Sequence, residues 1–165
     1  MPMDKVLVVD DDPSIVRAIT FVAENEGYQA VSASDGDEAL SVFDTEKPDL
    51  VFLDIHLPKR DGLDVLGLIK EQSNAVPIII ITGEGTMQAA VKAMQLGAFD
   101  YLTKPLDLNY IKRIIRNSLR TEEISTPGDA ASITFGDDKY QIIGRSTAIQ
   151  EVYKIIGSIS VTSNY

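Results

Sequence analysis

The chain has 165 residues, of which 44% are hydrophobic and 24% charged; its formal net charge is -10 and it has no cysteine. These numbers exclude a disulfide frame and a thiolate zinc site, and they argue against a nucleic-acid surface, which would carry a basic patch. No apolar stretch approaches the roughly 20 residues of a membrane span, and Met1-Pro2-Met3-Asp4-Lys5 leads straight into a strand-like run without the apolar region of a signal peptide, so the expectation is a cytoplasmic protein with no membrane partner.

In chain order, apolar strand-like runs alternate with helical patterns five times. The first strand is read as Lys5–Val9. A helix follows Asp12-Pro13-Ser14, with Pro13 in its first turn, and carries Ile15, Ile19 and Val22 to a stop at Gly27. The second strand is read as Tyr28–Ser32, and a helix opens at Ser34-Asp35 with Ala39, Leu40 and Phe43 on one face. The third strand is Leu50–Leu53, and its helix follows Asp61-Gly62 with Leu63, Leu66 and Ile69. The fourth strand is Ile78–Ile81, followed by a helix over about Thr86 to Gln95 that stops at Gly97. The fifth strand is Phe99–Leu102, and a helix from near Asp107 carries Ile111, Ile114, Ile115 and Leu119. Strands alternating with helices at this spacing predict βαβ units with right-handed crossovers. The expected fold is α/β: a flavodoxin-like, doubly wound (βα)5 domain with a five-stranded parallel sheet in the order 2-1-3-4-5.

Ligands of such sheets gather beyond the carboxyl ends of the strands, and the chemistry-bearing residues of this chain stand at those ends. Asp10, Asp11 and Asp12 follow the first strand, Asp54 the third, Thr82 and Gly83 the fourth, and Thr103-Lys104-Pro105 the fifth. Carboxylates converging from two strands repel unless a cation joins them, and an oxygen-only donor set suits Mg2+. The residue types suit phosphoryl transfer to a carboxylate: an aspartate nucleophile, a metal that offsets charge, a lysine and a hydroxyl for phosphoryl oxygens, and a glycine that leaves room for a bulky anion.

Four motifs carry a resemblance: Val8-Val9-Asp10-Asp11-Asp12; Leu53-Asp54-Ile55-His56-Leu57-Pro58 with Asp61-Gly62; Ile81-Thr82-Gly83; and Gly97-Ala98-Phe99-Asp100-Tyr101-Leu102-Thr103-Lys104-Pro105. In this order and spacing they resemble the receiver domain of bacterial two-component response regulators over about residues 3–120. The resemblance implies Asp54 as the acceptor of a phosphoryl group from a sensor histidine kinase. It implies Asp11 as a direct Mg2+ ligand, Asp10 as one acting mainly through water, and the backbone carbonyl of His56 as the remaining protein ligand. It further implies Thr82 as the switch hydroxyl, Lys104 as the bridge to the phosphoryl group or Asp54, Tyr101 as the aromatic ring that follows Thr82, and a cis peptide at Lys104-Pro105. His56 and Glu84, each two residues past a site residue, are implied to tune the lifetime of the phosphoryl bond. Such a domain is a phospho-switch and catalyses only its own phosphorylation and dephosphorylation.

Alternatives stand beside this reading. The acidic pair could be Asp11/Asp12 rather than Asp10/Asp11, and Asp12 could simply cap the first helix. Asp10-Asp11-Asp12-Pro13-Ser14 also fits the D-x-D-x-[ST] pattern of haloacid-dehalogenase-like phosphatases, with Asp10 as nucleophile. A degenerate receiver serving as a binding module is a third reading.

Residues 121–140 have linker composition. Within 141–165, Ile142-Ile143-Gly144-Arg145-Ser146 and Ile149-Gln150-Glu151-Val152-Tyr153 resemble the opening of the AAA+ ATPase domain in sigma-54-dependent transcription activators of the nitrogen-regulator type. The expectation is therefore a fragment: receiver at 1–120, linker, and the start of the ATPase domain. No G-x-x-x-x-G-K-[ST] loop occurs, so ATP binding through a P-loop is not expected; no helix-turn-helix is evident either, so DNA and sigma-54 RNA polymerase would be reached only through further domains. A stand-alone regulator with an unstructured tail is the alternative. The fifth helix, with its stripe of Ile111, Ile115 and Leu119, is expected to continue through Arg120 towards Glu122 and Glu123. A homodimer is expected through the face of helix 4, strand 5 and helix 5 or through this extension.

Overall fold

A computed structural model describes residues 3–83 and 86–119. The expected linker, the ATPase-like segment, Glu84 and the extension of the last helix lie outside the described residues. The elements are β1 (Lys5–Val9), α1 (Pro13–Asn25), β2 (Gln29–Ala33), α2 (Gly36–Glu46), β3 (Leu50–Asp54), α3 (Gly62–Gln72), β4 (Ile78–Thr82), α4 (Met87–Gln95), β5 (Asp100–Thr103) and α5 (Leu108–Leu119). All five strands are parallel, in the order β2-β1-β3-β4-β5, as expected. No helix among the described residues is long and apolar enough to cross a membrane.

Continuous apolar strands make sense because both faces of the sheet are covered. In β4, Ile78 and Ile80 face one cluster with Leu7, Val9, Val51, Leu53 and the inner sides of α2, α3 and α4. Ile79 and Ile81 face the other, with Val6, Val8, Phe52 and residues of α1 and α5. Each buried Leu, Ile or Val contributes about 1.5–3 kcal/mol from apolar transfer, so a polar substitution within β1, β3 or β4 would cost the fold on either face.

Helix starts follow local chemistry. Asp12, Asp35, Asp61 and Thr86 are N-caps, accepting hydrogen bonds from the backbone N–H groups of Ser14, Glu38, Leu63 and Ala89. Asp107 accepts from the N–H groups of Asn109 and Tyr110 at the start of α5. The second strand begins one residue later than its apolar pattern suggests. Gly27 has φ 90°, and the N–H groups of Gly27 and Tyr28 turn back to the carbonyls of Glu24 and Ala23. This Schellman closure of α1 uses the N–H of Tyr28, so pairing with β1 runs from Gln29 to Ala33. Similarly, the fifth strand runs over Asp100–Thr103, because Gly97 and Ala98 close α4 onto Met94 and Ala93 and Thr103 pairs with Thr82.

Candidate metal centre

β1, β3, β4 and β5 end side by side, and their last residues form the site. Asp10 leaves β1 with its N–H donating to the carbonyl of Ala33 (3.2 Å) and is 1% exposed. Its Oδ1 accepts from the backbone N–H of Asp12 at 2.8 Å. Asp54, the last residue of β3, is 3% exposed, and its Oδ1 accepts from the backbone N–H of His56 at 3.2 Å. Carboxylate oxygens of Asp10, Asp11 and Asp54 lie within 4.8 Å of one another. Asp11 is exposed and so holds the open side of this cluster.

Lys104 joins the two buried carboxylates. Its Nζ lies 2.8 Å from Asp10 Oδ2 and 3.2 Å from Asp54 Oδ2. Its backbone N–H donates to the carbonyl of Thr82 at 2.8 Å, which ties the exit of β5 to that of β4. Burial alone would lower the Lys104 pKa, but the hydrogen bond to Asp10 and the charges of Asp54 and Asp10 outweigh it and raise the pKa above the usual 10.5. Asp10 is raised above 3.8, first by burial and then by the nearby Asp54 charge, against the pull of Lys104 and the Asp12 N–H. The cluster thus holds more negative charge than one lysine neutralises. Three oxygen donors of that kind, one of them open to solvent, fit a hard divalent cation such as Mg2+.

An open cavity of about 370 Å3 lies over the cluster, lined by Asp54, His56, Gly83 and Lys104. A β-carbon at Gly83 would meet no protein atom closer than Lys104 Cδ at 4.0 Å, so the glycine leaves cavity volume open rather than relieving a clash. Thr82 is fully buried at the end of β4. His56 is exposed and stands two residues past Asp54. The Lys104-Pro105 peptide is cis. Tyr101 is fully buried, its ring packed in the cluster with Ile80, Ala90 and Ala93. Asp12 caps α1 through the Ser14 N–H at 2.9 Å, which separates it from the Asp10, Asp11 and Asp54 cluster. The carboxylates that lie beside Asp54 are thus those of Asp10 and Asp11. Asp12 would be the second aspartate of a D-x-D phosphatase, and its carboxylate is spent as a cap.

One buried acid lies within the fourth motif with no role assigned to it there. Asp100, the first residue of β5, is 1% exposed. Its Oδ1 accepts from the Tyr101 N–H at 2.7 Å, and its Oδ2 accepts from the Tyr110 hydroxyl of α5 at 2.9 Å. Burial pushes its pKa from 3.8 to about 7, against these two donors. In sequence Asp100 is a charged residue between Phe99 and Tyr101, and this apolar setting is the signal that singles it out.

Residues 6–116 match the response regulator receiver domain family. The chain is 37% identical over 164 residues to the DNA-binding transcriptional regulator NtrC of Proteus hauseri, covering 99% of this chain and 34% of that protein. It is 42% identical over 123 residues to the alkaline phosphatase synthesis transcriptional regulatory protein PhoP of Bacillus subtilis, covering 74% of this chain and 51% of that protein. It thus spans about half or less of these relatives' lengths. Among solved structures, the receiver domain of NtrX from Brucella abortus superposes with a TM-score of 0.66 at 36% identity, over 70% of this chain and 98% of that one. A CheY-like receiver domain protein from Methanospirillum hungatei gives a TM-score of 0.70 at 27% identity, over 74% and 98%.

Proposed function

Because the chain belongs to the response regulator receiver domain family, we propose that Asp54 accepts a phosphoryl group from the phosphohistidine of a sensor kinase and that the domain switches between two conformations as a result. The observation that carries this reading is the cluster itself: three carboxylates within 4.8 Å of one another, with Lys104 spanning Asp10 and Asp54.

An Asp54 carboxylate oxygen attacks phosphorus, the P–N bond of phosphohistidine breaks, and its electron pair returns to the imidazole nitrogen. The product is an acyl phosphate, which water later hydrolyses. Asp10, Asp11, Asp54 and the backbone carbonyl of His56 would hold Mg2+, which when bound offsets the charge of nucleophile and phosphoryl group. Lys104 stands close enough to Asp54 to take a phosphoryl oxygen as well, and Thr82 offers its hydroxyl from the neighbouring strand. A hydroxyl drawn to the new dianion moves the β4–α4 loop, and Tyr101, packed against α4, reads that movement. His56 at the cavity rim and Glu84 are assigned to tuning the lifetime of the acyl phosphate.

The similarity to NtrC extends over nearly the whole chain and supports a sigma-54 activator as the parent protein, with residues 1–120 as receiver, 121–140 as linker and 141–165 as the start of the ATPase domain. The switch would then act on a homodimer through the α4–β5–α5 face, where Met87, Phe99 and Leu108 are exposed. DNA and RNA polymerase would be engaged by the rest of that protein, in the cytoplasm.

The test is mass spectrometry after treatment with a small phosphodonor and Mg2+. One added phosphoryl group on Asp54, absent from Asp54→Asn, is the expected result. A label on Asp10 that survives Asp54→Asn would overturn the reading in favour of a phosphatase-like nucleophile.

A further inference from the structure

Seven residues, 55–61, join Asp54 to α3, and they include His56, whose carbonyl the metal reading uses. This loop is tied down at both ends. On the α3 side, the Gly62 N–H donates to the Ile55 carbonyl at 2.8 Å, and a β-carbon at Gly62 would collide with the carbonyl oxygen of Asp54 and with Ile55 Cα. Leu57 packs against the core.

The far side of the loop rests on the first turn of α2, a different element with no part in the metal site. The Gly36 N–H donates to the Pro58 carbonyl at 3.3 Å. Lys59 pairs with Asp35 at 3.3 Å and Arg60 with Asp37 at 3.1 Å. Lys59 holds a left-handed φ of 68°, a conformation disfavoured for a non-glycine residue and kept only where the surroundings impose it. At Gly36 the two backbones meet: a β-carbon there would lie 2.5 Å from Arg60 Cβ and 2.6 Å from the Arg60 carbonyl oxygen. Only a glycine permits this approach without one of the two segments shifting.

We infer that Asp35, Gly36 and Asp37 form a positioning clamp at the start of α2 that sets the loop of residues 55–61 and thereby aims the His56 carbonyl at the metal. The inference rests on the metal reading given above. Exposed ion pairs such as Lys59–Asp35 and Arg60–Asp37 contribute little to global stability. Their effect is local: with the Gly36 contact, they hold one side of the loop that carries His56, while Leu57 packs against the core. Displacing a group that orients a metal ligand typically weakens metal binding by about 10- to 100-fold.

The experiment is titration of the full chain with MgCl2, followed by NMR shifts of backbone amides around the site, with urea unfolding measured on the same proteins. The unsubstituted chain and Asp11→Asn come first. If the unsubstituted chain shows no Mg2+ binding, or Asp11→Asn binds as well, the metal reading itself fails and the clamp with it. Given binding that depends on Asp11, Gly36→Ala is expected to raise the Mg2+ dissociation constant about tenfold or more. Lys59→Gly keeps the backbone shape, removes the ion pair and relieves the left-handed strain. It is expected to weaken Mg2+ binding about two- to fivefold without lowering the urea midpoint, which a purely structural role would not do. If Gly36→Ala does not fold, Lys59→Gly decides alone. Dissociation constants within twofold of the unsubstituted chain in every folded variant would overturn the clamp while leaving the metal reading intact.

Discussion

Asp10 and Asp54 at one end of the sheet and Asp100 at the other are equally shut off from solvent, at 1%, 3% and 1% exposure, yet they are handled in opposite ways. At the carboxyl ends of the strands, a lysine Nζ lies 2.8 and 3.2 Å from two carboxylates, and a third carboxylate stands open beside them. At the start of β5, the single carboxylate of Asp100 meets only neutral donors, the Tyr101 N–H and the Tyr110 hydroxyl. Burial dominates at Asp100 and holds its pKa near 7. The contrast teaches that burial alone does not make a reactive acid. A charged site needs its compensating cation delivered by a separate strand, whereas a structural acid can be buried on hydrogen bonds and a retained proton.

The largest expected effect concerns Asp100. Its folded pKa of about 7 lies above the usual 3.8, so between these values the folded chain holds a proton that the unfolded chain has lost. Stability therefore falls as pH rises from about 4 to about 7, by up to about 4 kcal/mol, and is flat above. Asp100→Asn is expected to remove most of that slope, as read by urea unfolding at a series of pH values. An unchanged slope would show that Asp100 stays ionised on folding.

Lys104→Met sharpens the other half of the contrast. Removing the cation that spans Asp10 and Asp54 is expected to slow labelling of Asp54 by a small phosphodonor about 10²-fold, a loss of about 2.7 kcal/mol in the transition state. The rate of acyl phosphate formation followed by mass spectrometry checks it; a rate within threefold would mean that Lys104 serves only the resting pocket.

Tyr110→Phe is the smallest perturbation. It deletes one neutral hydrogen bond to Asp100 and is expected to cost about 1 kcal/mol. The pKa of Asp100 should also move above its present value near 7, because a donor that favours the carboxylate is gone. A carboxyl-carbon NMR titration measures that shift, and a downward movement would contradict the assigned direction of the Tyr110 hydrogen bond.

Much of this was legible in one dimension. Ile78 to Ile81 reads as a strand buried on both faces because a parallel sheet leaves no wet side, and helices that start at Asp12, Asp35, Asp61, Thr86 and Asp107 are local capping chemistry. Asp10, Asp54, Thr82 and Lys104 could be placed together because a strand exit is a position along the chain and the winding rules bring those exits to one edge. The one-residue displacement of the second strand was not legible, since it depends on the closure of α1 taking the N–H of Tyr28.

What the chain order alone determined is therefore which residues stand at the ends of strands, and so which groups the site can contain. The folded arrangement brings Asp10 and Asp11 to Asp54 and leaves Asp12 as the cap of α1, an arrangement the sequence left with alternatives. It also decided that Asp100 meets Tyr110, and that Gly36 touches Arg60 across 24 positions of sequence. Strand and cap signals arise from neighbours a few bonds away, while distances and pKa values arise from groups that meet only when the layers pack.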